Sequence, residues 1–156
     1  MSPQEGYEYG IVDEPGLPML EEALEKYPRL KFIGHSQPFW HEISQDAKPD
    51  LKSRMEWGKG PVKEGGRLVC LMRNYKNLYA DLSANSGGCA IMRDEKFGLQ
   101  FLEEFQDRLM FGTDMVNTDM VFPLGEWLDR QYQEGKLSVQ AYRKICFENA
   151  KKIFQL

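Results

Sequence analysis

The sequence predicts an α/β fold built on parallel strands. Three short apolar runs, at 30–35, 78–83 and 109–114, each end on a histidine, a serine or an aspartate. An apolar run of this kind is typical of a buried parallel strand, and a segment with helical periodicity precedes each of the three. Because the carboxyl ends of parallel strands meet at one edge of a sheet, we expect these polar residues to build a site there.

The first two predicted elements are a helix and the strand that follows it. Apolar residues recur at helical spacing from Leu17 to Tyr27, glutamates occupy the other face, and Pro28 ends the pattern. The strand is predicted at 30–33. It leads to His35, one of only two histidines in the chain.

The alternation of helix and strand continues along the rest of the chain. The spacing of apolar residues predicts most of the remaining helices and strands, and Ser138 is a favourable N-cap for the last helix. The pattern predicts, in order, helix 66–75, strand 78–82, helix 97–105, strand 109–111, helix 123–134 and helix 138–153. This spacing is that of βα units joined by right-handed crossovers.

Composition narrows the class of protein. The 156 residues suit one domain over 1–156, and a net charge of -4 argues against nucleic acid as a partner. No apolar stretch reaches the roughly 18 residues of a membrane span, and the N-terminus lacks the features of a signal peptide. Three widely spaced cysteines favour free thiols in a reducing compartment. We therefore expect a cytoplasmic protein that acts on a small molecule and binds neither membrane nor nucleic acid.

Two long loops follow the first two predicted strands, at 36–65 and 84–96. Loops at the carboxyl ends of parallel strands are where ligands bind in this class. We therefore predict that Trp40, Ser83 and Asn85 contact the substrate. The alternative is that the loops are surface insertions in which Trp40 packs against other aromatic residues.

Asp81, near the end of the second predicted strand, has two interpretations. Its carboxylate can accept a hydrogen bond from His35 or another functional residue and so orient it. Alternatively it bonds only to the local backbone, as polar residues at strand ends often do.

Four segments together resemble the amidohydrolase-related branch of the metal-dependent amidohydrolases. They are FIGHS at 32–36, NLYADLS at 77–83, DRLMFGTD at 107–114 and AYRKICFENAKKIF at 141–154. The resemblance implies a (β/α)₈ TIM barrel, with the three predicted strands as strands six, seven and eight and with flanking helices. It covers nearly the whole chain.

The resemblance also implies roles for two residues and a cofactor. His35 matches the family's sixth-strand histidine, which is a metal ligand or faces the substrate. Asp114 matches the eighth-strand aspartate, a metal ligand that also accepts a proton from metal-bound water. The implied catalytic residues are therefore Asp114 and His35, and the implied cofactor of the intact enzyme is a divalent metal, zinc in the first instance.

The chain departs from that family's pattern in ways that affect the predicted function. It has no His-x-His pair, and its 156 residues are fewer than the about 250 of a typical barrel. We therefore predict the C-terminal half of a barrel, inactive as an isolated chain and possessing no metal of its own. The reaction of the intact enzyme would be attack of activated water on a carbonyl-like centre, or a related non-oxidative decarboxylation.

Two further hypotheses stay open. One is a non-catalytic half-barrel that associates with itself or with a complementary N-terminal half, because open strand edges and apolar faces need covering. The other is an open doubly wound domain that binds a small anion at its strand ends. Under all three readings we expect an oligomer.

Overall fold

A three-stranded parallel sheet forms the centre of the computed structural model, which describes residues 13–156. The strands β1 (Phe32–Gly34), β2 (Leu78–Asp81) and β3 (Leu109–Met110) lie side by side in chain order. In the register, Phe32 pairs with Leu78 and Ala80 pairs with Leu109. The predicted α/β class with a parallel sheet is confirmed, whereas the numbering of the strands within a barrel stays a prediction.

Helices connect the strands and follow the last one. In order they are α1 (Pro18–Lys26), α2 (Gln37–His41), α3 (Leu51–Arg54), α4 (Arg67–Asn74), α5 (Ser86–Met92), α6 (Glu95–Glu104), α7 (Pro123–Gln133), α8 (Val139–Arg143), a π-helical segment (Lys144–Glu148) and α9 (Asn149–Phe154). The five predicted helices are all present, the last as the continuous run from α8 to α9. Within the described part of the chain, no helix has the length and apolar character needed to cross a bilayer.

The first strand begins later than predicted. Leu30 was expected to open it, but its side chain is 56% exposed and β1 starts at Phe32. The N–H of Phe32 donates to the carbonyl of Asn77, which is the first backbone bond between the two strands. The prediction of one domain over 1–156 includes residues 1–12, which lie outside the described residues.

The two predicted loops contain three helices that apolar periodicity did not reveal. The helices α2 and α3 lie within 36–65, and α5 lies within 84–96. In α5, a Cβ built on Gly87 would lie 2.5 Å from the Cα of Leu82, so glycine allows this helix to approach the end of β2 closely. Proline and glycine lower local helix propensity, and tertiary packing overrides that preference here.

The core lies where these helices pack on the sheet. Side chains that are almost entirely inaccessible come from both the helices and the strands, and they belong to one continuous apolar cluster. The largest of them are Leu24, Ile43, Leu68, Leu71, Met72, Leu78, Leu82, Ile91, Leu102, Leu109, Leu128 and Leu137. One apolar cluster therefore joins the sheet to helices that extend from α1 to the closing helical run.

The closing helix occupies the edge of β3 that faces away from β2. The side-chain amide of Asn149 donates to the carbonyls of Leu109, at 2.8 Å, and Gln106, at 2.6 Å. The N–H of Phe111 donates to the carbonyl of Ile145, which lies in the π-helical segment. The expectation of open sheet edges is therefore wrong for β3, because this helix takes the position that another strand would fill.

Candidate active site at the carboxyl edge of the sheet

The polar residues that follow the three strands come together at one edge of the sheet. His35 Nδ1 lies 3.1 Å from Asp81 Oδ2, and His35 Nε2 lies 3.9 Å from Asp114 Oδ2. The imidazole therefore lies between a carboxylate of β2 and a carboxylate of the segment after β3. The geometry brings together the two predicted catalytic residues, although their catalytic roles stay predictions.

Asp81 is held by contacts on both sides of its carboxylate. Its Oδ1 accepts the backbone N–H of Ser83 at 2.9 Å, and its Oδ2 accepts the Ser83 hydroxyl at 2.7 Å. The backbone carbonyl of Asp81 accepts the indole N–H of Trp40 at 3.0 Å. These bonds hold the carboxylate where it meets His35. The contact with His35 is the one expected under the first interpretation of Asp81, and the bond from the Ser83 N–H is the local backbone bond of the second.

The pKa values of this pair move in opposite directions. The hydrogen bond to Asp81, with the negative charges of Asp81 and Asp114, raises the pKa of His35 even though burial opposes this. Burial alone would raise the pKa of Asp81, but hydrogen bonds from His35 and Ser83 outweigh it and hold that pKa below its usual value. An ionised Asp81 accepts a hydrogen bond from the Nδ1–H group of His35, and this bond orients Nε2 towards Asp114.

Each of the three strands is followed by a residue in an unusual backbone conformation. The φ angles are +74° at Ser36, +56° at Ala84, +57° at Asn85 and +54° at Asp114. A side chain at positive φ is disfavoured, and such residues cluster at functional sites. Their presence after every strand supports a functional assignment for this edge of the sheet.

The three residues predicted to contact substrate all contact protein in this structure. The Asn85 amide donates to the carbonyl of Val121 at 3.0 Å and so ties down the segment after β3. Trp40 is 2% exposed and packs edge-on against Phe39, while Ser83 is 4% exposed. The alternative reading of Trp40, aromatic packing, describes its observed environment. A contact of any of these residues with substrate stays a prediction.

The donor set for a metal ion is incomplete within residues 13–156. His35 and Asp114 are close enough to share an ion, but the described residues contain no group of three or more histidines, cysteines, aspartates or glutamates placed to hold one. A catalytic zinc site usually has three protein ligands. Asp81 does not complete the set with them, because it contacts Nδ1 of His35 whereas Asp114 lies beside Nε2, the opposite ring nitrogen. These residues alone therefore do not fit a catalytic metal centre.

A cavity of about 250 Å³ lies beside this edge, between the two loops that were predicted to bind a ligand. Trp40 and Ser86 border it, and the Ser86 hydroxyl donates to the carbonyl of Ser83 at 3.3 Å. Arg93, at the end of α5, also lines it. The sequence analysis missed Arg93, because no local pattern indicated that it faces the residues of the first loop.

The chain is similar to a known protein family. The model of a family described as Amidohydrolase matches residues 11–156 of the chain. Neither the curated proteins nor the solved structures yielded a match.

Proposed function

This chain belongs to the amidohydrolase family, and from that premise we propose that it contributes to a metal-dependent hydrolase site at the carboxyl edge of its sheet. The observation that carries the proposal is the position of His35 between Asp81 and Asp114. The proposed reaction is attack of water on a carbonyl-like centre of a small molecule, with the related non-oxidative decarboxylation as the alternative.

Asp114 is the proposed proton acceptor. Its side chain is 46% exposed and lies beside His35, so it can receive a proton from a water molecule or a substrate hydroxyl. It has a positive φ of 54°, and its Oδ2 lies 3.9 Å from the Nε2 of the imidazole. A carboxylate in this position suits the base that activates the attacking water.

His35 is the proposed partner that stabilises negative charge. Asp81 holds the proton on Nδ1 and favours the charged imidazolium, which can stabilise an oxyanion or return a proton to a leaving group. The pairing of a charged imidazole with an exposed carboxylate is an acid and base arrangement. It gives the two residues separate roles.

We further propose that, in place of this charged arrangement, a neutral His35 with its proton on Nδ1 uses Nε2 to bind a divalent metal together with Asp114, zinc in the first instance. Such a site needs donors from outside residues 13–156. Such donors would come from a second copy of the chain or from a complementary half. The isolated chain is then expected to be inactive. This part of the proposal rests on family membership and on the two-residue donor set.

Metal titration of single variants tests the proposal. We expect zinc to bind the wild-type chain weakly at pH 7.5 and more weakly at pH 5.5, because ligands must be deprotonated and Asp81 raises the pKa of His35. His35→Ala and Asp114→Ala should each weaken binding by about tenfold or more. Isothermal titration calorimetry gives the affinity.

The chain offers matched controls for both substitutions. His41 is the only other histidine, and its Nε2 bonds to the carbonyl of Lys48 rather than facing the sheet edge. Asp119 is an exposed aspartate of the segment that follows Asp114. His41→Ala and Asp119→Ala should leave zinc affinity unchanged. Equal losses in these controls would show that zinc binds elsewhere.

A second candidate function is association through β1. Leu30 is 56% exposed and Ile33 is 38% exposed, so apolar surface remains at the strand that has no neighbour on its far side within 13–156. We expect a dimer or higher oligomer in sedimentation velocity experiments, dissociated by Ile33→Lys. A wild-type chain that sediments as a monomer at all concentrations contradicts this candidate.

A further inference from the structure

The cavity of about 250 Å³ lies outside the proposed hydrolase site, because none of His35, Asp81 and Asp114 lines it. It is formed by α2, the segment 44–59 and α5. We propose that this cavity binds a small organic carboxylate, with the guanidinium of Arg93 contacting the carboxylate group. This goes beyond the proposed hydrolase function and does not depend on it.

Most N–H donors of Arg93 have no hydrogen-bond partner within residues 13–156. A guanidinium has five N–H donors, and here Nη1 donates to the carbonyl of Lys59 at a long 3.5 Å. Its Nε is buried and has no hydrogen-bond partner among the described residues. No ion pair joins Arg93 to a carboxylate of residues 13–156, whereas Arg67 and Arg73 both have one. An anion in the cavity would supply an acceptor for Nη2, which has no hydrogen bond within residues 13–156 and, unlike Nε, is not buried.

The backbone beside Arg93 is shaped to receive its guanidinium. A Cβ built on Gly58 would lie 2.2 Å from Arg93 Nη1. Any side chain at position 58 would therefore displace the guanidinium, and the glycine leaves room for it against the cavity. This packing holds the planar group in place, which reduces the entropy lost when it binds a ligand.

The electrostatic environment favours an anion of low charge. Burial lowers the pKa of Arg93, and the carboxylates of Asp46 and Asp94 offset this effect only in part. Lys48 and Lys59 add positive charge to the lining, while Asp46 and Glu56 add negative charge. A singly charged carboxylate matches this near balance and the planar fork of arginine, whereas a doubly charged phosphate would be repelled by the two acids.

One part of the lining is apolar and can contact a small ring, beside the polar side chains of Gln37, His41, Ser44, Ser53 and Ser86. Trp57 borders the cavity and is 49% exposed, a large aromatic surface left open at the cavity wall. Ala47 and Ala90 contribute small apolar side chains. The volume is below the roughly 300–1,000 Å³ of pockets for drug-sized ligands, so the ligand is small. A carboxylate on a single ring meets these requirements.

Benzoate is a suitable probe, with benzamide as its neutral analogue. We expect calorimetry to show benzoate binding to the wild-type chain and no binding of benzamide. Arg93→Met should weaken benzoate binding on the order of tenfold or more, since a charge-assisted pair is lost. The matched control is Arg130→Met, because Arg130 is an exposed arginine of α7 that does not line the cavity.

Further variants separate this inference from the hydrolase proposal. The double variant His35→Ala/Asp114→Ala should keep benzoate binding, and Trp57→Ala should weaken it even if Arg93→Met fails to fold. Benzoate binding that is absent in the wild type, unchanged in Arg93→Met and Trp57→Ala, or lost only in the double variant overturns the inference. Inorganic phosphate binding more tightly than benzoate overturns the assignment to carboxylates.

Discussion

Replacing Asn149 by alanine is expected to lower the free energy of unfolding by about 2–4 kcal/mol. The Asn149 side chain is 6% exposed, and its amide donates to the backbone carbonyls of Leu109 and Gln106. Alanine would leave both carbonyls without this donor at the edge of β3. An unsatisfied buried polar group costs about 1–3 kcal/mol, and this substitution would leave two carbonyls, those of Leu109 and Gln106, without their donor.

Urea denaturation followed by circular dichroism measures this change. Asn149→Asp should destabilise the protein at least as much, because aspartate keeps the shape but offers no N–H and adds a buried charge. The matched control is Asn74→Ala, since Asn74 is an exposed asparagine at the end of α4 and should alter stability by no more than about 0.5 kcal/mol. Equal stability of Asn149→Ala and wild type would mean that β3 does not rely on this bond.

The contacts of Asn149 also show which feature of the fold, the closing of the β3 edge, could not be predicted from the sequence. The helical run containing Asn149 was predicted from the Ser138 N-cap and the apolar positions that follow, and Ser138 does accept the N–H of Ala141. The side-chain bond to Leu109 spans 40 residues. A local pattern of period 3.6 carries no information about such a bond, so the closing of the β3 edge could not be predicted.

The same limit explains the helices that were missed. The predicted helices have long apolar stripes, and these are found within one or two residues of their predicted ends. The short helices α2 and α5 carry Pro38 and the pair Gly87 and Gly88, residues that usually mark loops. They form because their buried side chains pack on the sheet, a tertiary effect that a single-sequence pattern does not contain.

For the candidate site, the sequence predicted which residues meet but not what else holds them. An apolar run ending in a polar residue places that residue at the carboxyl edge of a parallel sheet, and this rule predicted that His35, Ser83 and Asp114 lie there. Asp81 was a separate prediction, with orientation of His35 as one of its two interpretations. The bond from the Ser83 hydroxyl to Asp81 is local, because the two residues are two positions apart in the chain. The cavity that Arg93 lines depends instead on how the loops fold back, and local spacing gives no signal for it.

Replacing Asp81 by asparagine is expected to lower the pKa of His35 towards its ordinary value of 6.5, because the hydrogen bond to Asp81 is the largest cause of its upward displacement. The ring signals of His35 in an NMR titration measure this directly. His41, the other histidine, provides an internal reference in the same spectra. Asp119→Asn removes an exposed acid instead and should leave the His35 titration unchanged.

The pair also determines how stability depends on pH. His35 has a raised pKa in the folded state, so its contribution is complete below pH 6.5 and is lost as the pH rises through the raised value. Asp81 has a lowered pKa, so its contribution is complete above pH 3.8 and is lost as the pH falls through the lowered value. The stabilisation by the pair is therefore greatest between these two limits.

Urea denaturation at two pH values tests this dependence. Asp81→Asn should lower the free energy of unfolding by about 1–3 kcal/mol at pH 5.5, where both groups are charged, and by less at pH 8.5. A loss that is the same at both pH values would assign the effect to packing around Asp81 and not to the charged pair. In that case Asp81 would not stabilise the imidazolium of His35. The proposed stabilisation of an oxyanion by His35 would then lose its basis.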